Sequence, residues 1–238
     1  VIGLKGLKSV LASSFCFIPI FIGFILPIIE LSLWALETNV DIFNNKFLVG
    51  SFNTITIGLF TGLICALLAI VINFSIRFTK NKFLERLNSL MSIGYAIPGL
   101  ILAVGITRFL VFSDQNVFTN VNFVITGSLV GLFLAYLIKS YALANSSIES
   151  GYERISNSID NSAQLLGSSG GKLLGRIHFP LMRTSFLTAV LLVTSEVVKE
   201  LPATLILRPF NFDTLAVITY TYAAEERTVS YTHLRAHE

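Results

Sequence analysis

Long apolar runs alternate with shorter polar segments along this chain. Five runs approach or exceed the roughly 20 helical residues that cross a bilayer core about 30 Å thick; they cover residues 10–34, 55–74, 90–112, 123–143 and 186–207. Backbone groups in lipid must be paired within their own segment, and none of the runs alternates like a barrel strand. The pattern therefore predicts an all-α fold, a polytopic membrane helix bundle with five spans.

The composition agrees with a membrane protein. Of the 238 residues, 53% are hydrophobic and only 13% are charged, whereas soluble domains carry about 25% charged residues. Cys16 and Cys65 lie inside apolar runs, so we expect packing residues, although one disulfide is compatible with the sequence. The histidines and cysteines show no metal-ligand spacing, and no pattern indicates a catalytic residue or nucleic-acid binding.

Basic residues predict the orientation of the bundle. Loops on one side carry most of them, whereas the other side carries Lys46 and Arg208, with Arg108 near that face. By the positive-inside rule the richer side faces the cytoplasm, which puts the N-terminus and the loop at 144–184 there. The basic residues of that side are Lys5, Lys8, Arg77, Lys80, Lys82, Arg86, Arg154, Lys172, Arg176 and Arg183.

The end of the chain differs from the rest, because no apolar run follows the fifth one. We expect residues 1–227 to form the transmembrane domain, with a sixth span missing, and residues 228–238 to be foreign to the fold or disordered. The alternative is a genuine five-span protein with a short external tail.

Two pairs of glycines have the spacing that lets membrane helices approach closely, Gly58 with Gly62 and Gly127 with Gly131. We expect both to pack within the bundle, and a dimer face is the alternative.

The polar loop between the fourth and fifth runs carries a spaced pattern, Asn161-Ser-Ala-Gln-Leu-Leu-Gly167, then nine residues, then Ile177-His-Phe-Pro180. The spacing resembles the EAA loop of ABC-importer permeases, at which the membrane subunit docks on its ATPase. The residues that fall on the family pattern are Ala163, Gly167, Ile177 and Pro180, and those that depart from it are Asn161, Ser162 and Phe179.

Local signals predict two helical pieces in this loop. Residues 158–166 can form an amphipathic helix with Ile159, Ala163 and Leu166 on one face. Gly167 can end that helix in the left-handed conformation. Residues 172–177 can form a second piece, and Pro180 is expected to restart the chain toward the next span.

The same loop contains a segment that superficially resembles an ATP-binding loop, Gly167-Ser-Ser-Gly-Gly-Lys172-Leu. A phosphate-binding loop needs a glycine where Leu166 stands and a hydroxyl where Leu173 stands. We therefore expect this chain not to bind ATP.

Ionisable residues inside the fifth run are the second candidate site. Glu196, Lys199 and Glu200 share a helix face and precede Pro202. Such residues are costly in a membrane and often line a cavity, so we predict a gate or translocation path; a structural ion pair to a neighbouring span is the alternative. Pro98 breaks the third run and is assigned to the same path, with a static kink as the alternative.

Three segments resemble ferric-iron ABC permeases: 199–216, 94–105 and 23–27. The resemblance covers residues 1–227. It implies a type I (MetI-like) permease fold of six spans in the bacterial inner membrane, and a transport subunit rather than an enzyme. The implied partners are ATPase subunits that bind ATP and magnesium, a periplasmic or lipoprotein substrate-binding protein, a second permease half and membrane lipid.

Other functions remain open at this point. Thiamine, phosphonate and polyamine permeases share the loop. An ion-coupled secondary transporter could use Glu196, Lys199 and Glu200 as its relay, and a membrane scaffold would need neither the loop glycine nor the acidic residues.

Overall fold

The computed structural model describes residues 5–37, 45–117 and 124–224. These residues are almost entirely helical and contain no strand, which confirms the predicted all-α class. The chain divides into two compact units, Val1–Asn44 and Asn45–Glu238. The segment 228–238, for which a foreign or disordered tail was predicted, lies outside the described residues.

The described part of the first unit, 5–37, is a single apolar helix with a local widening. It begins with α1 (Leu7–Ile20), passes through a π turn at Phe21–Ile25 and continues as α2 (Leu26–Glu37). The π turn ends two residues before Pro27. A proline ring clashes with the carbonyl four residues earlier and cannot donate a hydrogen bond, so a wider turn at this point relieves both problems.

The second unit contains the bundle. Its helices, in chain order, are α3 (Asn45–Thr79), α4 (Lys82–Ser92), α5 (Gly99–Asn116), α6 (Leu129–Glu153), α7 (Asn157–Leu165), α8 (Gly170–Leu173), α9 (Phe179–Val198), α10 (Pro202–Leu207) and α11 (Leu215–Ala224). A π turn at Leu174–His178 joins α8 to α9, so Gly170–Val198 is one long helix.

The core of this unit lies where α3, α6 and α9 pack together. Glycines allow the closest approach: a Cβ on Gly62 would lie 2.8 Å from the Val190 carbonyl oxygen of α9. The first glycine pair therefore packs within the bundle, as predicted. The second prediction is wrong for Gly127, which precedes α6 with a φ of 80° and has no atom within 4 Å of an added Cβ.

Two contacts between buried residues show the relative direction of α3 and α6. Asn73 of α3 donates to the Asn145 side chain of α6 at 2.7 Å, and Cys65 Sγ lies 3.8 Å from the Leu137 carbonyl oxygen. Contacts that advance together along both helices mean that α3 and α6 run parallel, so both end at the same side. Cys65 packs as predicted, whereas Cys16 is exposed, and both thiols are free.

Four described helices are long and apolar enough to cross a membrane: Leu7–Leu33, Asn45–Thr79, Leu129–Glu153 and Gly170–Val198. The fifth element is a broken pair, Lys82–Ala96 and Gly99–Asn116, bent by 115°. The predicted number of spans is confirmed if this pair counts as one span.

The interruption predicted at Pro98 is confirmed, because the third run is divided there between α4 and α5. One predicted boundary is corrected. The fifth run does not end at residue 207: the helix starts at Gly170, well before the apolar run, and stops at Val198 before the break that Pro202 follows. The break separates α9 from α10, since proline cannot continue the hydrogen-bond ladder.

Candidate functional site

The loop after α6 folds as a short helix with a defined end. Gly167 has a φ of 79°. Its N–H donates to the Gln164 carbonyl at 2.9 Å, and the Ser168 N–H donates to the Ala163 carbonyl at 2.9 Å. These two bonds form a Schellman motif, which confirms the predicted role of Gly167 as the residue that ends α7.

The inner and outer faces of α7 differ from the predicted ones. Asp160 and Ala163 are buried, at 5% and 4% exposure, whereas Leu165 and Leu166 are 89% and 86% exposed. The prediction that Ile159, Ala163 and Leu166 share one face is therefore wrong. Leu166 leaves the helical path with a ψ of 11°, and a carboxylate rather than Ile159 turns inward.

The second half of the loop merges with the next membrane helix. Pro180 does not restart the chain, because Gly170–Val198 is continuous through the π turn at Leu174–His178. This π turn also ends two residues before a proline, as in the first unit. Ile177 is half-buried and Pro180 is exposed.

The outer face of the loop is a mixed surface. The predicted docking residues Asn161, Ser162 and Gly167 are exposed there. Leu165 and Leu166 lie beside them and place two apolar side chains in the open. Sequence reasoning did not name this leucine pair as a site.

An arginine holds the inner face of the loop. Arg77, near the end of α3, donates through Nε to Asp160 Oδ2 at 2.7 Å. Its terminal nitrogens donate to the carbonyls of Tyr152 at 3.0 Å and Ile155 at 2.7 Å. A further bond of 3.2 Å reaches the Asn157 side chain. One guanidinium thereby joins the end of α3, the end of α6 and the start of α7.

A histidine extends this network to the start of α9. His178 is fully buried, and its Nε2 lies 3.0 Å from Asp160 Oδ1. Neither ring nitrogen makes a hydrogen bond of regular geometry within the described residues, so the contact is one of close approach between two buried polar groups. The ring packs against Phe74, Phe78 and Tyr152 at centroid distances of 5.5, 5.9 and 5.5 Å.

Sequence reasoning missed this network as a site. Arg77 counted there only as one basic residue among many on its side. The available signals were Asp160, an acidic residue directly before the spaced pattern, and His178, which stands inside Ile177-His-Phe-Pro180. Neither signal pointed to Arg77, since only the fold brings these residues together.

A second buried ion pair lies at the break between α9 and α10. Glu200 is 5% exposed. Its carboxylate binds Lys139 of α6 and accepts a hydrogen bond of 3.2 Å from the Ala203 N–H at the start of α10. A Cβ added to Gly99, the first residue of α5, would overlap the same carboxylate. The negative charge thus lies at the N-terminal ends of two helices, where the backbone dipoles favour an anion.

Hydroxyl groups complete this cluster. Thr204 donates to the Glu200 carbonyl at 2.6 Å, and its Oγ1 lies 2.6 Å from the Tyr136 hydroxyl. Lys139 lies within α6 some 14 residues before its last residue, Glu153, a distance of about 21 Å along the axis at 1.5 Å per residue. The cluster is therefore deep in the bundle.

The predicted path residues do not form one group. Pro98 adjoins Gly99 beside Glu200. Glu196 and Lys199 instead pair with each other at 2.8 Å, and Lys199 is 68% exposed at its side chain. For Glu200 the contact seen in the structure is an ion pair that joins this span to a neighbour, α6.

No family model matches the chain. A search of curated proteins finds the Fe(3+)-transport system permease protein FbpB 2 of Haemophilus influenzae, 25% identical over 217 residues. The chain is a distant relative of this permease. The predicted resemblance to iron permeases is thereby confirmed, over 87% of this chain. The chain spans only 40% of the relative's length.

The similarity to a permease and the apolar helices both indicate a membrane protein. A permease crosses a membrane many times, and the described residues contain four or five helices of sufficient length and apolarity. The chain is therefore a multi-pass membrane protein.

A polar groove between α6 and α9 is unusual in such a bundle. Its volume is about 310 Å³. It is lined by Ser146, Ser147, Ser150, Arg154, Thr184, Ser185 and Thr188. None of these hydroxyls makes a hydrogen bond within the described chain. Polar groups in a membrane bundle face a cavity or a partner rather than lipid, so this side is suited to water or to another polypeptide.

Proposed function

We propose that this chain is part of the transmembrane subunit of an ATP-driven importer of ferric iron. The observation that carries the proposal is the similarity to an iron-transport permease along 87% of the chain. Substrate, energy source and partners all belong to the proposal, because the chain corresponds to 40% of that relative.

The loop at 144–184 is the proposed docking site for ATPase subunits on the cytoplasmic side. Its residues in this role are Asn161, Ser162, Gly167, Ile177 and Pro180, and the buried Ala163 would pack the helix that presents them. Support comes from the exposed pair Leu165 and Leu166, since apolar side chains in the open, beside polar ones, suit a partner surface. ATP and magnesium would bind to the ATPase, and a binding protein would deliver iron at the opposite face.

The path for the cargo is proposed to involve the broken helices. Pro98 and Glu200 meet where α5, α6 and α10 converge, and irregular backbone at membrane depth is tolerated where protein or water surrounds it. Glu196 and Lys199, which pair with each other and not with Glu200, are proposed as a separate gate. The hydroxyl groove on α6 and α9 would face this path or the second permease half.

An ion-coupled secondary transporter is the second candidate, favoured by one observation. The ion pair of Glu200 and Lys139 is buried deep in the bundle, where ionisable residues often serve as proton or ion relays. The two candidates differ in their energy source.

An uptake assay distinguishes the importer from the secondary transporter. It measures radiolabelled ferric iron taken up by cells that express the chain from its own locus. The proposal predicts uptake that stops when ATP is depleted and persists when the proton and sodium gradients are collapsed. The opposite pattern would establish the secondary transporter. Uptake of labelled thiamine, phosphonate or polyamine that requires this chain, with iron uptake that does not require it, would overturn the substrate assignment.

Docking is tested by Leu166→Asp with Gly171→Asp as its control. Leu166 is 86% exposed, and Gly171 lies on the same loop with open space around it, so both variants are expected to fold. We expect Leu166→Asp to lose most of the co-purifying ATPase and Gly171→Asp to keep it. Full retention of the ATPase by Leu166→Asp contradicts docking through this surface.

A further inference from the structure

Arg77 has the contacts needed to carry movement of the loop into the bundle. We propose that Arg77, Asp160 and His178, here called the latch, act as positioning residues that make α7 move together with α3 and α9. The inference rests on the proposed function, because it assumes that a partner moves the loop.

One side chain, that of Arg77, connects several elements of the bundle. Arg77 belongs to α3 and Asp160 belongs to α7. The carbonyl acceptor Tyr152 lies at the end of α6, and the other, Ile155, lies in the turn that follows it. The guanidinium is planar and rigid, so its donors fix the relative orientation of all three. A movement of α7 alone would break the bond from Nε and leave Asp160 buried without its cation.

The connection continues from Asp160 toward α9. Asp160 uses one oxygen for Arg77 and turns the other toward His178 at the start of α9. The imidazole is fully buried among Phe74, Phe78 and Tyr152. Close-packed rings resist independent movement. A displacement of Asp160 is therefore transmitted to α9 through His178, whose ring is held by its neighbours.

The two faces of α7 differ in their exposure. Its outer leucines, Leu165 and Leu166, are almost fully exposed, whereas Asp160 and Ala163 are almost fully buried. A partner can therefore hold α7 from outside while the latch holds it from inside. Loss of the latch should leave the partner bound, but ATP hydrolysis by the partner would then drive less transport.

The experiment measures ATP hydrolysed per iron ion imported, in the complete transporter reconstituted in liposomes. Coupling between sites typically corresponds to about 5- to 150-fold effects. We expect Asp160→Asn, which keeps the shape of the side chain, to raise this ratio about fivefold or more while the ATPase still co-purifies. Arg77→Lys, which keeps the charge but not the planar fork, should do the same. Arg176→Lys, at an exposed position of the same loop, is the matched control and should leave the ratio unchanged.

The outcomes separate this inference from the proposed function. An unchanged ratio in Asp160→Asn, with the ATPase bound, overturns the latch. Loss of the ATPase from a folded Asp160→Asn variant also overturns it, since the network would then shape the docking surface instead of transmitting motion. Failure of the unmodified transporter to bind an ATPase would defeat the proposed function itself. If Arg77→Lys fails to fold, Asp160→Asn alone decides.

Discussion

Two ion pairs of similar burial lie in the same bundle, and they are built differently. The side chains of Arg77 and Asp160 are 17% and 7% exposed, and those of Lys139 and Glu200 are 17% and 6% exposed. Arg77 spreads four hydrogen bonds over the end of α6, the turn after it and the loop helix α7. In the described chain Lys139 binds only the carboxylate of Glu200.

The difference follows from what each pair has to do. The pair of Arg77 lies at the end of the bundle, where a helix of the loop has to be held in place, so orientation depends on several bonds at once. The pair of Glu200 lies deep in the bundle, where an isolated charge is costly. The main role of Lys139 there is to neutralise the Glu200 carboxylate. We therefore expect changes in the deep pair to affect stability most, and changes in the latch to affect coupling most.

The largest expected effect on stability comes from Lys139→Met. It removes the cation and leaves the Glu200 carboxylate buried alone, which costs about 3–5 kcal/mol in comparable sites. Thermal unfolding in detergent should show a much lower midpoint. The double variant with Glu200→Gln removes both charges and should recover most of the loss; a single variant as stable as the unmodified chain would refute the importance of the pair.

A smaller effect is expected from Gly99→Ala. The new methyl group would collide with the Glu200 carboxylate, and overpacking of this kind costs about 1–3 kcal/mol. Gly105→Ala is the control on the same helix, because an added Cβ there has no atom within 4 Å. We expect the unfolding midpoint to fall for Gly99→Ala and to hold or rise for Gly105→Ala. Equal midpoints would show that the carboxylate is not held at the start of α5.

The smallest effect on stability is expected from Gly167→Ala, which lies in the loop beside the latch and not at the deep ion pair. Alanine at a φ of 79° costs about 1–2 kcal/mol, and only the loop depends on it. Gly171→Ala, with no contact within 4 Å and no positive φ, serves as the reference. Limited proteolysis should cut the loop faster in Gly167→Ala than in Gly171→Ala, with little change in the unfolding midpoint. A large drop in the midpoint would mean that the loop supports the whole bundle.

The sequence was most informative where a signal is local. Apolar runs predicted the spans because length and composition are enough to cross a bilayer, and Gly167 predicted a helix end because few other residues accept its conformation. The broken third run was visible as Pro98, although its bend of 115° was not, since the angle depends on packing against other helices.

Signals that depend on the fold were lost or misread. Helical spacing put Glu196, Lys199 and Glu200 on one face, but α9 ends at Val198, so Glu200 turns away to Lys139. Spacing likewise turned Ile159 inward, whereas Arg77 from a distant helix draws Asp160 in instead. Partners that are far apart in the sequence decide which polar residue is buried, and a single sequence does not pair them.

Cross-linking from Leu166 tests the central claim most directly. Leu166→Cys, labelled with a short photoreactive group in membranes, should form a product with an ATPase subunit, and the yield should change when ATP is added. Leu191→Cys, at an exposed position of α9 within the apolar span, is the control and should give no such product. A complete absence of ATPase products from Leu166→Cys, in membranes that import iron, would contradict the account.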